Sequence, residues 1–143
     1  MTDAIFLDAN IFMYAAGSAH HYKAPCLQIL ALVETKKLTA VTSSEVLQEI
    51  LYRYSHLQLT EKGIHLCRRI LDFPMEILPV TASDVQRATE ILETSPSIKA
   101  RDAIHAATMF NNQIEEILTA DKHFERISSL NRLDPHDYAA SIS

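Results

Sequence analysis

The sequence predicts an α/β fold built on a mostly parallel sheet. Short apolar segments typical of strands alternate with longer segments in which apolar residues recur every three or four positions, the spacing of an amphipathic helix. Strands that alternate with helices of this size form βαβ units, whose strands lie parallel. Only two glycines occur in 143 residues, which disfavours the glycine-rich loops that bind phosphates and dinucleotides.

The elements follow in order from local patterns. Strands are predicted at five short apolar or β-branched segments: residues 5–8, 38–42, 75–80, 115–119 and 131–133. Helices are predicted where apolar residues recur at helical spacing: residues 10–16, 22–36, from 43 or 44, from 60, from 81, 99–112 and 122–127. Pro79 near the end of the third strand favours an edge position for that strand. No element is predicted after Leu133.

The size and charge of the chain set further limits. A chain of 143 residues can bury its own core, so we expect one domain over residues 1–143. No signal peptide or membrane span is evident, and Cys26 and Cys67 lie in amphipathic patterns typical of buried free thiols, so we expect a cytoplasmic protein. The net charge of −5 argues against a simple nucleic-acid binder. It does not argue against an enzyme that gathers carboxylates around divalent cations.

Acidic residues follow the carboxyl ends of three predicted strands. Asp8 ends the first strand, Glu45 follows the second and Asp121 follows the fourth. The carboxyl ends of parallel strands share one edge of the sheet, which is where ligands bind in such folds. Asp102 lies in the first turn of an alanine-rich helix that can approach the same edge. Each acid alone is also explained as a helix-capping residue, so the prediction depends on their joint placement.

Asp84 shows what the local pattern leaves open. It follows the third predicted strand as Glu45 follows the second, and both sequences resemble a capping box. Only the order of the strands separates the two residues. If the third strand lies at an edge, Asp84 is a helix cap that lies away from the other acids.

Four carboxylates in one place favour a divalent cation. Their mutual repulsion grows as the local dielectric constant falls, and a bound cation removes it. An oxygen-only ligand set favours Mg²⁺ or Mn²⁺ over Zn²⁺. His20, His21, His105 and His123 lack the spacing of a zinc site, and we interpret them as structural or surface residues.

Four stretches of the sequence, in this order and spacing, resemble the PIN-domain ribonucleases. They are FLDANIFMYA, VTSSEVLQEI, ARDAIHAAT and ILTADKHFERI. The resemblance covers essentially the whole chain. Within this family, the sequence most resembles the VapC-type toxins of toxin–antitoxin pairs. It implies a three-layer α/β/α sandwich around a five-stranded sheet in the order 3-2-1-4-5. On that order the third strand is an edge strand.

The resemblance also implies a metal-dependent cleavage of RNA. The acidic cluster of the family falls on four residues, with two polar residues in support: Asp8, Glu45, Asp102 and Asp121, supported by Asn10 and Thr119. We expect Asp8 and Asp102 to be the principal metal ligands, Asp121 to assist, and Glu45 to orient or deprotonate the attacking water or to bind a second metal. Basic residues near this rim are candidates for RNA phosphates: Lys99, Arg101, Lys122, Arg53 and Arg126.

The partners implied by the resemblance are an RNA substrate, a second copy of the chain and a VapB-like antitoxin that obstructs the site. Apolar residues on two predicted helices are candidates for these protein contacts: Leu47, Leu51, Tyr54 and Leu57, or Leu66 and Ile70. Three alternatives stay open at this point. They are an RNA-processing nuclease without an antitoxin, a phosphotransfer domain with Asp8 as nucleophile beside Lys122, and a non-catalytic binding module.

Overall fold

A five-stranded sheet lies at the centre of the molecule. The computed structural model describes residues 3–142 and contains these strands: Ile5–Leu7 (β1), Ala40–Ser43 (β2), Glu76–Leu78 (β3), Glu116–Leu118 (β4) and Asn131–Leu133 (β5). Their order across the sheet is β3-β2-β1-β4-β5, and each neighbouring pair is parallel. The predicted strand order is confirmed, and the third strand is an edge strand.

Helices connect the strands and cover the sheet. The described residues contain seven α-helices and one short 3-10 helix: Ala9–Ala16 (α1), Lys23–Glu34 (α2), Ser44–His56 (α3), Thr60–Asp72 (α4), Ala82–Thr94 (α5), Ala100–Asn111 (α6), Pro135–Ser141 (α7) and the 3-10 helix Lys122–Arg126. All three residues of β1 are buried. Because neighbouring residues of a strand point to opposite faces, both faces of the sheet are covered, as the predicted α/β/α sandwich requires. None of the helices within residues 3–142 combines the length and apolarity needed to cross a membrane.

The core forms where the central strands meet α6. Phe6 and Ile117 are fully buried in neighbouring strands, and each contributes about 1.5–3 kcal/mol by its removal from water. Ala103, Ala106 and Ala107 are also fully buried. Their small side chains let α6 pack closely, which brings its first turn near the carboxyl ends of the central strands.

Both cysteines are buried, and their thiols are free. Burial raises the pKa of the Cys26 thiol to about 12 and also raises the pKa of Cys67. Thiols with pKa values above the ordinary range stay protonated and unreactive at neutral pH. The sequence prediction of buried free thiols is confirmed.

The chain ends in a helix that the sequence analysis did not predict. The Asp134 carboxylate accepts the N–H groups of His136 and Asp137, and Pro135 occupies the first turn of α7. These are the start signals of a helix, but α7 has only seven residues, too few to show a helical repeat of apolar positions.

The third strand is shorter than predicted. Met75, Pro79 and Val80 lie outside it.

Asp84 is a helix cap and lies away from the other acids. Its Oδ2 accepts the backbone N–H of Thr81 at 2.9 Å while the Thr81 hydroxyl accepts the N–H of Asp84 at 3.2 Å, a complete capping box at the start of α5. Its Oδ1 accepts the amide of Asn111 at 2.7 Å and so ties α5 to α6. The edge position of β3 therefore separates Asp84 from Asp8, as the strand order predicts.

We expect Asp84→Ala to destabilise the fold. The substitution removes a cap and leaves the Asn111 amide without its partner, which together lower the free energy of unfolding by about 2 kcal/mol. Urea denaturation followed by circular dichroism measures this change, with Glu90→Ala on the exposed face of α5 as the control. A change in Asp84→Ala no larger than that of the control contradicts the structural role.

Candidate metal centre

Asp8 lies where β1 ends and α1 begins, and 5% of its surface is exposed. Its Oδ1 accepts the backbone N–H of Ala9 at 2.8 Å, so the carboxylate caps α1. Its Oδ2 accepts a hydrogen bond from the Thr119 hydroxyl at 2.7 Å. A helix cap alone needs no contact with Thr119, the residue directly after β4. The second hydrogen bond therefore shows that Asp8 also belongs to a polar cluster at the sheet edge.

Asn10 and Thr119 hold the orientation of the Asp8 carboxylate. The Asn10 amide donates to the Thr119 hydroxyl at 2.9 Å and to Asp8 Oδ2 at 3.2 Å. The Thr119 hydroxyl also accepts the backbone N–H of Asp121 at 3.0 Å, and Asn10 Oδ1 accepts the N–H of Ala120 at 3.2 Å. These bonds join the loop after β4 to the start of α1. The structure thus brings both predicted supporting residues into direct contact with Asp8.

Asp102 and Asp121 line the same cavity as Asp8. The cavity has a volume of about 270 Å³ and is bounded by α1, the first turn of α6, one face of α3 and the loop after β4. Asp102 lies in the first turn of α6, as predicted. Asp121 follows β4, and its Oδ1 accepts the backbone N–H of His123 at 2.9 Å. Three of the four predicted acids therefore converge.

The fourth acid in the cavity is Glu49, which the sequence analysis missed. Glu49 is 7% exposed and lies on the face of α3 that buries Val46 and Ile50. The sequence feature that could have identified Glu49 is its position, three residues after Val46 and next to Ile50, on the apolar face of an amphipathic helix. A charge at such a position is seldom fully buried unless it has a partner.

Glu45, the predicted fourth acid, is placed differently. It lies one helical turn before Glu49, and its carboxylate is 3.6 Å from Arg101 Nε. Among the residues that the structure describes, Glu45 is not one of those that line the cavity. The local pattern after β2 pointed to the first turn of α3, whereas the cavity is reached from the second turn.

A buried histidine lies between two of these acids. His105 Nε2 is 3.3 Å from Glu49 Oε1 and 3.8 Å from Asp8 Oδ1, and the side chain is fully buried. The ligand atoms of Asp8, Glu49 and His105 all lie within 4.8 Å of one another. Within residues 3–142, His105 Nδ1 is buried without a hydrogen-bond partner. The sequence analysis interpreted His105 as structural or surface; the structure places it inside the acidic cluster.

Burial and neighbouring charges shift the pKa values of three carboxylates at this site. Burial raises the pKa of Asp8, although the positive charge of His105 acts in the opposite direction. Burial, followed by the charges of Asp8 and Asp121, raises the pKa of Asp102 to about 6. Burial also acts to raise the pKa of Glu49, but the hydrogen bond and charge of His105, together with the charges of Arg53 and Arg101, outweigh it, and the net pKa is lowered. A divalent cation fits this donor set, because its positive charge would offset the mutual repulsion of Asp8, Asp102 and Asp121.

Asp102→Asn tests this electrostatic strain. The raised pKa means that the folded protein binds the proton of Asp102 more tightly than the unfolded chain does. The stability that this proton contributes is therefore fully present below pH 3.8 and is lost as the pH rises through about 6. In EDTA at about pH 7.5, we expect Asp102→Asn to raise the free energy of unfolding by about 1–2 kcal/mol. Thermal and urea unfolding measure it, with exposed Asp72→Asn as the control. If Asp102→Asn is no more stable than the wild-type protein, the result contradicts the placement of Asp102 in a repulsive acidic cluster.

Basic side chains line the cavity together with the acids. Arg53, Lys99 and Arg101 are among its lining residues, and Arg53 Nε is 3.3 Å from Glu49 Oε2. The predicted RNA contacts Lys99 and Arg101 therefore lie beside the acids. Lys122 is exposed on the 3-10 helix and is not part of the lining, so it is not placed beside Asp8 as the phosphotransfer alternative requires.

The chain is similar to known proteins over almost its whole length. The model of the PIN domain matches residues 5–130. A VapC ribonuclease of Mycobacterium bovis is 32% identical over 129 residues, covering 90% of this chain and 98% of the relative. Ribonuclease VapC23 of Mycobacterium tuberculosis is 32% identical over 120 residues, covering 82% of this chain and 92% of the relative.

Solved structures share the fold. VapBC2 from Rickettsia felis, bound to a DNA fragment from its promoter, superposes with a TM-score of 0.70 at 24% identity over 92% of this chain and 98% of that chain. VapC20 of Mycobacterium tuberculosis, a toxin that cleaves the sarcin–ricin loop, superposes with a TM-score of 0.73 at 18% identity over 89% of this chain and 98% of that chain. The domain match and the relatives at 32% identity show that this chain belongs to the PIN-domain family and groups with the VapC proteins within it.

Proposed function

We propose that this chain is an endoribonuclease that depends on a divalent cation, and that it is the toxin of a VapBC-type toxin–antitoxin pair, acting as one domain over residues 1–143. One observation carries the proposal: the carboxylates of Asp8, Glu49, Asp102 and Asp121 converge on a single cavity that basic side chains also line. The relatives named VapC ribonucleases support the substrate class.

Mg²⁺ or Mn²⁺ fits the donor set, because carboxylate oxygens are the ligands these ions prefer. In this proposal Asp8, Asp102, Asp121 and Glu49 hold the cation, and Glu49 also takes the role toward the attacking water that the sequence analysis gave to Glu45. When bound, the cation lowers the pKa of the attacking water and stabilises negative charge on the phosphate oxygens.

The side chains around the acids supply orientation and charge. The Thr119 hydroxyl and the Asn10 amide both donate to Asp8 Oδ2, which keeps the carboxylate in one rotamer. Glu49, held between His105 and Arg53, is placed to orient the attacking water or to accept its proton. Lys99 and Arg101 lie on the cavity wall, where they neutralise the phosphate oxygens of a bound strand.

Removal of the cation tests the proposed chemistry. The purified protein is incubated with pooled RNA, first as prepared, then with EDTA, and then with EDTA followed by excess Mg²⁺ or Mn²⁺. We expect EDTA to stop cleavage and the added cation to restore it. Cleavage that continues at the same rate in EDTA contradicts a metal-dependent mechanism.

The proposed protein partners are a VapB-like antitoxin and a second copy of the chain, in the cytoplasm. Two apolar surfaces support this proposal. Leu51, within α3, and Leu57, directly after it, are 40% and 61% exposed. A groove of about 180 Å³ separates α1, α2 and α4, and Leu66 and Ile70 form part of its floor although they are themselves buried. An amphipathic helix binds in such grooves through its apolar face.

Expression in cells tests the toxin role. We expect induction of the gene alone to stop growth, and co-expression of a small neighbouring reading frame with the character of an antitoxin to restore it. Unaffected growth together with the absence of such a reading frame contradicts the toxin role and favours an RNA-processing nuclease.

A further inference from the structure

We propose that Tyr52 and Arg101 form a binding subsite for an unpaired nucleotide of single-stranded RNA, beside the acidic cavity, and that Glu45 is the residue that positions Arg101. Tyr52 stacks on the base and Arg101 binds the phosphate. The proposal rests on the ribonuclease function proposed above and adds the residues that contact the strand beside the bond that is cleaved.

The first observation is an exposed aromatic ring next to the cavity. Tyr52 is 54% exposed and follows Glu49 by three residues on α3, so both lie on neighbouring positions of one helix face. The Arg101 guanidinium carbon is 5.6 Å from the centre of the Tyr52 ring, and Arg101 itself lines the cavity. Arg101 therefore links the Tyr52 ring to the wall of the acidic cavity.

The second observation is the position of Glu45. Its carboxylate contacts Arg101 at Nε, the inner nitrogen of the guanidinium. No hydrogen bond within residues 3–142 uses the two terminal nitrogens of Arg101, which carry four of its five N–H donors. Glu45 and the Tyr52 ring thus both lie against the guanidinium and leave its terminal nitrogens available for a phosphate.

The third observation is a continuation of planar groups away from the cavity. The His56 ring lies one turn further along α3, with its centre 6.0 Å from that of Tyr52 and with 12° between the two planes. A guanidinium, a phenol ring and an imidazole thus follow one another along the surface. Successive bases of an unpaired strand stack on such planar groups, whereas the bases of a duplex are stacked on each other and are inaccessible.

Binding to an inactive variant tests the subsite without cleavage. In the Asp8→Asn background, fluorescence anisotropy measures the Kd for a short labelled single-stranded RNA and for a blunt duplex of the same sequence. We expect Tyr52→Ala to weaken binding of the single strand roughly tenfold, Tyr52→Phe to retain it, and neither to change the weaker duplex binding. Val85→Ala, which removes an exposed apolar side chain on α5, is the control.

Steady-state cleavage by the active protein tests the positioning role of Glu45. We expect Glu45→Gln to raise KM roughly threefold to tenfold while kcat stays within about twofold, the pattern of lost binding without lost chemistry. If the wild-type protein cleaves RNA but Tyr52→Ala leaves Kd unchanged and Glu45→Gln leaves KM unchanged, the subsite is overturned and the ribonuclease function stands. Wild-type protein that neither binds nor cleaves RNA overturns both.

Discussion

Asp8→Asn is expected to lower the rate of RNA cleavage roughly a thousandfold, because a lost metal ligand removes several kcal/mol of transition-state stabilisation and each 1.4 kcal/mol corresponds to about tenfold. Asparagine has the shape of aspartate and keeps an oxygen that can accept the N–H of Ala9, so the cap of α1 is preserved. The loss is therefore one of charge at the sheet edge and not of the fold. Initial rates on a defined RNA in Mg²⁺ measure the change.

The control for Asp8→Asn is Asp72→Asn. Asp72 is exposed at the end of α4 and has no contact with the cavity, so its removal changes the same net charge elsewhere on the surface. We expect the control to cleave at the wild-type rate and both variants to give the same circular dichroism spectrum. Cleavage by Asp8→Asn within about tenfold of wild type contradicts Asp8 as the central ligand.

Glu49→Gln is expected to lower kcat roughly a hundredfold, within the range attributed to the removal of a positioned acid–base group. Glutamine matches glutamate in size, so the packing of α3 against Val46 and Ile50 is kept. The substitution removes the negative charge that faces His105 and Arg53, and with it the group that we propose orients the water. The rates at saturating RNA measure kcat directly.

The comparison of Glu49→Gln with Glu45→Gln separates the two acids of α3. Both substitutions remove one charge from the same helix, one turn apart. We expect Glu49→Gln to lower kcat and Glu45→Gln to raise KM, while Glu90→Gln on exposed α5 changes neither. A large fall of kcat in Glu45→Gln, with Glu49→Gln near wild type, contradicts the placement of Glu49 at the chemistry.

The sheet and most of the acidic cluster could be predicted from the sequence because the signals were local. Apolar strands that alternate with amphipathic helices predict a parallel sheet, and the resemblance to the PIN-domain family supplied its strand order. A carboxylate directly after a parallel strand lies at a known edge of such a sheet. Asp8 and Asp121 meet that condition, and the alanine-rich face of α6 explained how Asp102 reaches the same edge. Asp84 meets the local condition as well, and only the strand order showed that it is a cap.

Glu49 and His105 could not be predicted with the same rule, because they reach the cavity from within helices. Each interrupts an apolar helix face, and their pairing across α3 and α6 depends on how closely those helices approach. That distance is set by the small residues of α6 and by the packing of the sheet, which are properties of the assembled fold. The preference for the first turn of α3 over the second made Glu45 the predicted acid.

Calorimetric titration of Mn²⁺ tests the central claim, which is that Asp8, Glu49, Asp102 and Asp121 bind one divalent-cation site. The titration is made with metal-free wild-type protein, with Glu49→Gln and with Glu45→Gln, so that affinity is measured without RNA or turnover. We expect wild type and Glu45→Gln to bind Mn²⁺ with the same affinity and Glu49→Gln to bind it at least about tenfold more weakly. Wild-type affinity in Glu49→Gln, or a loss of affinity only in Glu45→Gln, contradicts the claim.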